Sequence, residues 1–326
     1  GEGGDNPAIS VTAEMVNNHQ FVWEFRDVTG QRIFQRVNWG FAVVNEVQNM
    51  PGEVTSGNTV SLSSDNAYFM DNAATFVREG GELVIEPGTY ILAQGQSAVL
   101  VVERGGKIMA EGTPGRPIVM TSAQPVGQRF RADWGGLVLN GRGPINVPGG
   151  EAISEGFETE EILYGGGENP DENDSSGTLR YVRVEFAGAE LSPDNELNGI
   201  AFQGCGRGTV ADHLQVHFNL DDGVEFFGGT AQVKYLVLTA NADDSLDWTE
   251  GWTGKAQFVV AQQRRDDADQ GIEADNNGEN NNLLPRANPT IYNVTLVGGL
   301  PVPDSEDESD IGALLREGTA GTLRNF

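Results

Sequence analysis

Positive charge and sulfur are scarce in this chain. Of its 326 residues 48 are acidic and 20 basic, giving a net charge of −28, and the lysines are Lys107, Lys234 and Lys255 alone. A surface of that sign repels nucleic acid and anionic lipid, both of which reward clustered cations. Acid excess with so little lysine fits either bound divalent cations or solubility in a salty habitat. Cys205 is the single cysteine, which excludes an internal disulfide. It sits in Gly204-Cys205-Gly206-Arg207-Gly208 as the small residue of a glycine-rich turn, and the stretch lacks the Lys-Ser/Thr ending of a phosphate loop. No apolar run is long enough to cross a bilayer as a helix. Amphipathic helical periodicity over about ten residues is also missing, so a TIM barrel or doubly wound sheet has nothing to build with. The sequence opens at Gly1 without a basic-then-apolar leader, which predicts a processed, mature chain.

Glycine is plentiful, at 44 residues, and the apolar fraction is a modest 38%. That pairing suits many short strands joined by tight turns. The strands repeat. Leu83-Val84-Ile85-Glu86-Pro87-Gly88 leads to Ile91-Leu92-Ala93-Gln94-Gly95, and the unit returns as Leu100-Val101-Val102-Glu103-Arg104-Gly105 followed by Ile108-Met109-Ala110-Glu111-Gly112. One such unit cannot bury its own apolar face, whereas stacked units can. A second repeat reads Asp221-Asp222-Gly223-Val224-Glu225-Phe226, then Asp243-Asp244-Ser245-Leu246-Asp247-Trp248, then Asp269-Gln270-Gly271-Ile272-Glu273-Ala274, at spacings of 22 and 26 residues. Strand-like runs lie around them at 179–186, 233–239, 257–261 and 290–297. The pattern predicts an all-β chain: a parallel β-helix, a solenoid, over residues 76–326. Acidic, Asn-rich or Pro-rich stretches at 150–177, 275–289 and 301–310 read as loops inserted between rungs. Residues 1–75 do not share the repeat. Ala8–Thr12, Phe21–Phe25 and Gly40–Val44 look like strands of a small β-rich cap covering the first rung.

Stacking aligns the acids. Equivalent positions in adjacent rungs stand about 4.8 Å apart. The repeat then places Glu225, Asp247 and Glu273 in one column, Asp221, Asp243 and Asp269 in a second, and Asp222 with Asp244 in a third. Like charges so close repel by roughly 1 kcal/mol in water and more where water is thinned. Ca²⁺, which takes about six to eight oxygen ligands, offsets that repulsion; protonation or projection into solvent are the other solutions. A catalytic carboxylate cluster is a further possibility, with Glu225 and Asp247 as the acid and base of glycoside cleavage. A Ca²⁺-dependent lyase would instead need a basic residue near the metal to remove a proton, for which Arg264 is the candidate. Arg264-Arg265 adjoins Asp266-Asp267, however, and is neutralised there on the bland reading. His213 and His217 share one strand and fit a metal pair or two polar residues of an outer face. Trp248 and Trp252 fit a sugar-stacking platform or, more simply, the core.

Trp134-Gly135-Gly136-Leu137-Val138-Leu139-Asn140-Gly141, Leu179 to Gly188, Asp221 to Gly229 and Asp243 to Gly254 together resemble secreted or lipid-anchored bacterial proteins. These belong to the pectate-lyase-like superfamily of right-handed parallel β-helices. The resemblance covers residues 76–326 and implies that fold, with no single reaction attached to it. Asn219-Leu220-Asp221-Asp222-Gly223 and Asn241-Ala242-Asp243-Asp244-Ser245 also look like the Asn/Asp-Asp strings of polygalacturonase-type glycosidases, but that family's Gly-His-Gly and Arg-Ile-Lys elements are absent. The expectation is an extracellular or cell-surface structural or adhesive β-helix, stabilised by Ca²⁺. The stop at Phe326, within a rung, adds the expectation of a second copy stacked head to tail into a filament. A monomeric lipoprotein tethered through Gly1-Glu2-Gly3-Gly4-Asp5 is the rival. A carbohydrate-active enzyme on an extracellular polysaccharide is the alternative class.

Overall fold

The structure, a computed structural model, describes residues 21–23, 37–39, 44–157, 162–192, 195–265, 268–299 and 311–326. Contacts divide the chain into residues 1–45 and 46–326. In the first unit Phe21–Trp23 pairs antiparallel with Val37–Trp39. The expected strand at Ala8–Thr12 and most of that at Gly40–Val44 lie outside the described residues.

The second unit is a coil of three parallel strand columns. The first column runs through Thr59–Leu62, Glu82–Ile85 and Lys107–Glu111. It continues through the leading halves of Gly177–Glu185, Val210–His217, Gln232–Thr239, Lys255–Gln262 and Thr290–Val297, and reaches Thr322–Arg324. The trailing halves of those five strands continue the second column, which begins with Val47–Asn49, Ala67–Asp71, the start of Tyr90–Val102 and Ile118–Ser122. The third holds Glu53–Val54, Thr75–Val77, the end of Tyr90–Val102, Trp134–Asn140, Ile200–Gln203, Val224–Phe227 and Leu246–Thr249. Every one of these pairings is parallel. No α-helix occurs among the described residues.

The coil is therefore already under way at Val47, which corrects the expected boundary at residue 76. Its early rungs were illegible because their strands are only two to five residues long. All of Val47–Asn49 is exposed, so no apolar alternation marks it. The stretch 150–177 does leave the rungs and contains an antiparallel pair, Ala152–Ile153 with Leu163–Tyr164. The Asn-rich stretch 275–289 is irregular, as expected; residues 278–282 are exposed, but its base at Asp275, Asn276 and Asn277 is buried. Asn276 is 0% exposed; it accepts from Ala287 N at 2.7 Å and Asn146 Nδ2 at 2.9 Å, and donates to Asn281 O and Leu283 O. Segment 301–310 lies outside the described residues.

Alternation on the third column sends one set of side chains inward and the other out. Leu100, Leu137, Ile200, Val224 and Leu246 stack inside, as do Val102, Leu139, Phe202, Phe226 and Trp248. Phe202 lies on Phe226 at 5.0 Å between ring centres, and Trp252 on the far side of Phe226 at 4.1 Å. Each such fully buried side chain contributes about 1.5–3 kcal/mol of transfer free energy. Trp248 and Trp252, both 0% exposed, are thus core residues and form no sugar platform.

Between the first and second columns the chain bends at one residue per rung: Tyr181, His213, Tyr235 and Phe258, with φ of 49°, 53°, 59° and 61°. One left-handed residue turns the strand without a loop. The cost, about 1 kcal/mol or more for a non-glycine residue, is offset outside the coil, where the four rings stack at 4.2, 4.4 and 5.1 Å.

Candidate metal centre

The outward side chains of the third column change character along the axis. Phe76, Val101, Val138 and Ala201 come first, in register; Glu225 and Asp247 follow. The bridge of Leu246 to Ile272 places Glu273 next. The apolar part is covered by Phe157 and Ile162 of the inserted hairpin segment and by Leu197, which together form a second, smaller core. The acidic part begins where that cover ends.

The corner before each third-column strand carries the remaining acids. Asn219 Nδ2 donates to Asp222 O at 2.8 Å and holds the corner shut. The side chains then link rung to rung: Asp244 N donates to Asp222 Oδ1 at 2.9 Å, and Gln270 N to Asp244 Oδ1. The backbone bonds of Gly199 N to Asp222 O, Gly223 N to Asp244 O and Ser245 N to Gln270 O fix the register. They put Asn198, Asp222, Asp244 and Gln270 at one position of four successive rungs.

All eight acids named from the repeat come together. Four trios each bring one oxygen per residue to within 4.8 Å of the others: Asp221, Asp222 and Asp243; Asp222, Glu225 and Asp247; Asp243, Asp244 and Asp269; Asp244, Asp247 and Glu273. The last two repeat the first two one rung on. Asp222, Glu225 and Asp244 are buried, at 5%, 8% and 3% exposure. Asp221 and Asp247 are half-buried.

Burial governs the electrostatics. It pushes the Asp221 carboxyl up to about 7, with Asp243 adding to it, and Asp247 up to about 8, with Glu273 and Asp275 adding to it. Asp244 rises to about 9 through burial, then Asp247 and Asp243. Asp222 and Glu225 are driven well above the ordinary carboxylate range, again by burial first and by neighbouring acids second. Among the described residues no Lys or Arg pairs with Asp222, Glu225, Asp244 or Asp247. Arg316 closes the far end of the ladder, pairing with Glu273 and, at 2.9 Å, with Asp275. Asn198 closes the near end, with Nδ2 on Glu225 Oε2 at 2.7 Å and on Glu155 Oε2 at 3.2 Å.

Sequence reasoning missed Asn198, Gln270, Asp275 and Arg316. Extending the repeat one rung upstream exposes the first, since Asn198-Gly199-Ile200-Ala201-Phe202 matches Asp222-Gly223-Val224-Glu225-Phe226.

The other candidates scatter. Arg264 stands over the Phe218 ring, 5.0 Å from its centre, at the end of the second column, while Glu225 and Asp247 face out from the third. Asp266 and Asp267 lie outside the described residues. His213 stacks in the corner ladder with Nδ1 on Asp212, and His217 bonds Thr239 Oγ1 at 2.8 Å. The bend at His213 separates them, so they make no metal pair. Cys205 is buried, which pushes its thiol up to about 12, and it packs against Ser176 and Leu139 O. A thiol held neutral is no nucleophile.

No curated protein and no solved structure matches the chain. A family model described as a pectate-lyase-like β-helix domain matches residues 52–326, beginning upstream of the boundary expected from the repeats. With three parallel columns and that match over most of its length, the chain belongs to the pectate-lyase-like β-helix family.

Proposed function

We propose that this is an extracellular structural β-helix whose acidic rungs hold Ca²⁺. One observation carries the reading: carboxylates stacked in trios within 4.8 Å, three of the residues buried, with no Lys or Arg among the described residues paired to Asp222, Glu225, Asp244 or Asp247. The donor set is all oxygen and its spacing tolerates variation, which suits Ca²⁺ better than the rigid octahedral demands of Mg²⁺. Without a cation the acids must take up protons or repel. With one, each rung is stapled to the next, and millimolar calcium outside cells is enough for even a weak site. A second copy stacked head to tail, or an extracellular polysaccharide, is the partner class for such a coil.

Thermal melting of chelator-stripped protein, with and without added Ca²⁺, tests the reading. A rise with Ca²⁺ is expected; an unchanged melting temperature removes the structural metal. Electron micrographs over a range of concentrations separate single coils from filaments. Polysaccharide cleavage is the alternative use of these carboxylates. Turnover abolished by Glu225→Gln with the melt intact would replace the structural reading with it.

A further inference from the structure

The four carboxylate trios are not independent. Asp222 belongs to two of them, and so do Asp243, Asp244 and Asp247. Two doubly charged ions held through one shared carboxylate repel four times as strongly as two unit charges at the same separation, while the shared ligand supplies a single negative charge. Only two pairs of trios share nothing. One pair is Asp222–Glu225–Asp247 with Asp243–Asp244–Asp269. The other is Asp221–Asp222–Asp243 with Asp244–Asp247–Glu273.

Two neutral residues distinguish these pairs. Asn198 is 0% exposed, its Nδ2 donates to Glu225, and its Oδ1 has no hydrogen-bond partner. Gln270 is 5% exposed, its Nε2 donates to Asp269, its backbone N donates to Asp244, and its Oε1 has no partner. A buried carbonyl oxygen left unpaired is costly, and native proteins rarely keep one without a reason. An amide oxygen is also a ligand that Ca²⁺ accepts readily. The two amides stand at opposite ends of the same column, each bonded through its nitrogen to an acid that only one trio of the first pair contains, Asn198 to Glu225 and Gln270 to Asp269. The second pair has the opposite disposition, because its Glu273 is already engaged by Arg316.

Resting on the calcium reading above, we infer that the ladder holds two ions, not four. One lies among Asp222, Glu225 and Asp247 with Asn198 Oδ1 as a further ligand. The other lies among Asp243, Asp244 and Asp269 with Gln270 Oε1. The amides are the ends of the metal ladder, and Arg316 serves as the fixed cation of the rung beyond.

Four residues are private to one trio each, and this makes the assignment testable. Calcium is titrated calorimetrically into the chelator-stripped full chain, into single variants of these four residues and into one variant of Asn198, with circular dichroism confirming that each is folded. The wild type binds two ions. Glu225→Gln and Asp269→Asn each lose one of them, whereas Asp221→Asn and Glu273→Gln keep both. Asn198→Leu weakens one site and leaves the other untouched. The reverse pattern among the four variants, or a wild-type stoichiometry of one or four, overturns the inference while leaving calcium binding intact. No binding by the wild type overturns the calcium reading itself.

Discussion

In chelator, near pH 9, Asp247→Asn should make the protein more stable. Asp247 has four acidic neighbours, Asp222, Glu225, Asp244 and Glu273, through the two trios it joins. At about 4.8 Å one pair of charges repels by ~1 kcal/mol in water and by ~3.5 kcal/mol at an effective dielectric constant of about 20. Several neighbours stay protonated in the metal-free protein, so the relief corresponds to about one ionised partner, on the order of 1–4 kcal/mol. At about 2–4 °C per kcal/mol for a chain of some 150–250 residues, and less for a longer one, this is a rise of several degrees in Tm. The sign depends on pH. The folded-state value of Asp247, about 8, lies above its ordinary value of 3.8. Below pH 4 the carboxyl is neutral in both states and its protonated form contributes fully; that contribution is lost as pH rises through about 8. The variant should therefore match the wild type only near or below pH 4, and its advantage should grow across the window up to about pH 8 and be largest near pH 9. Saturating calcium reverses the order. At about 100 times Kd one ion contributes ~2.7 kcal/mol, and the variant loses a ligand to it. Calorimetric melts of both proteins, with chelator and with Ca²⁺ at both pH values, give the comparison. A variant that is neutral in every buffer refutes the reasoning, because the acids would then be solvated turns.

Three further outcomes follow from particular contacts. Burial raises the Glu250 carboxyl from 4.5 to about 7. Burial thus favours its protonated form, whose contribution is complete below pH 4.5 and lost as pH rises through about 7, while the hydrogen bond that Tyr164 Oη donates to Glu250 Oε2 at 2.7 Å opposes the shift. In calcium-saturated melts Glu250→Gln should flatten the fall between those values, and an unchanged slope would show that Glu250 is not its source. At the left-handed corner, Tyr235→Ala should destabilise more than Tyr235→Gly, by about 1 kcal/mol, reversing the usual strand ranking; urea titration of the two variants measures it. Asn276→Ala should cost about 1–3 kcal/mol by leaving Ala287 N without its acceptor and Asn281 O and Leu283 O without their donor, while Asn146 Nδ2 keeps Asn276 O and Pro285 O; an effect below about 1 kcal/mol would mean that water replaces the side chain.

The middle of the coil was legible because its strands bury one face completely. Leu83 and Ile108 are register partners one rung apart, whereas Leu100 and Val102 belong to the third column, so the first repeat read from the sequence compares strands of different columns of one core. The rungs from Val47 to Val77 were not legible, because their strands are two to five residues long, too short for the buried Val54, Leu62, Met70 and Val77 to show a repeat. The acid columns could be aligned from the repeat, since Glu225 and Asp247 are true register partners. The ends of the ladder could not. Asn198 and Gln270 differ chemically from the acids they continue, and only backbone register identifies them as the same position. Arg316 enters through a separate segment, far away in sequence, so spacing carried no trace of it. The corner residues stayed hidden for a similar reason: nothing in Tyr181 or Phe258 alone signals a positive φ. The Asn-rich stretch was legible as an inserted loop, but not the buried amide network of Asn146, Asn276 and Asn277 at its base, because such a network has the composition of a loop.

Crystals grown in millimolar Ca²⁺ and measured at a wavelength where calcium scatters anomalously test the central claim most directly. The account predicts two anomalous peaks, one among Asp222, Glu225 and Asp247 and one among Asp243, Asp244 and Asp269. An ordered ladder with no anomalous density at either position would contradict it.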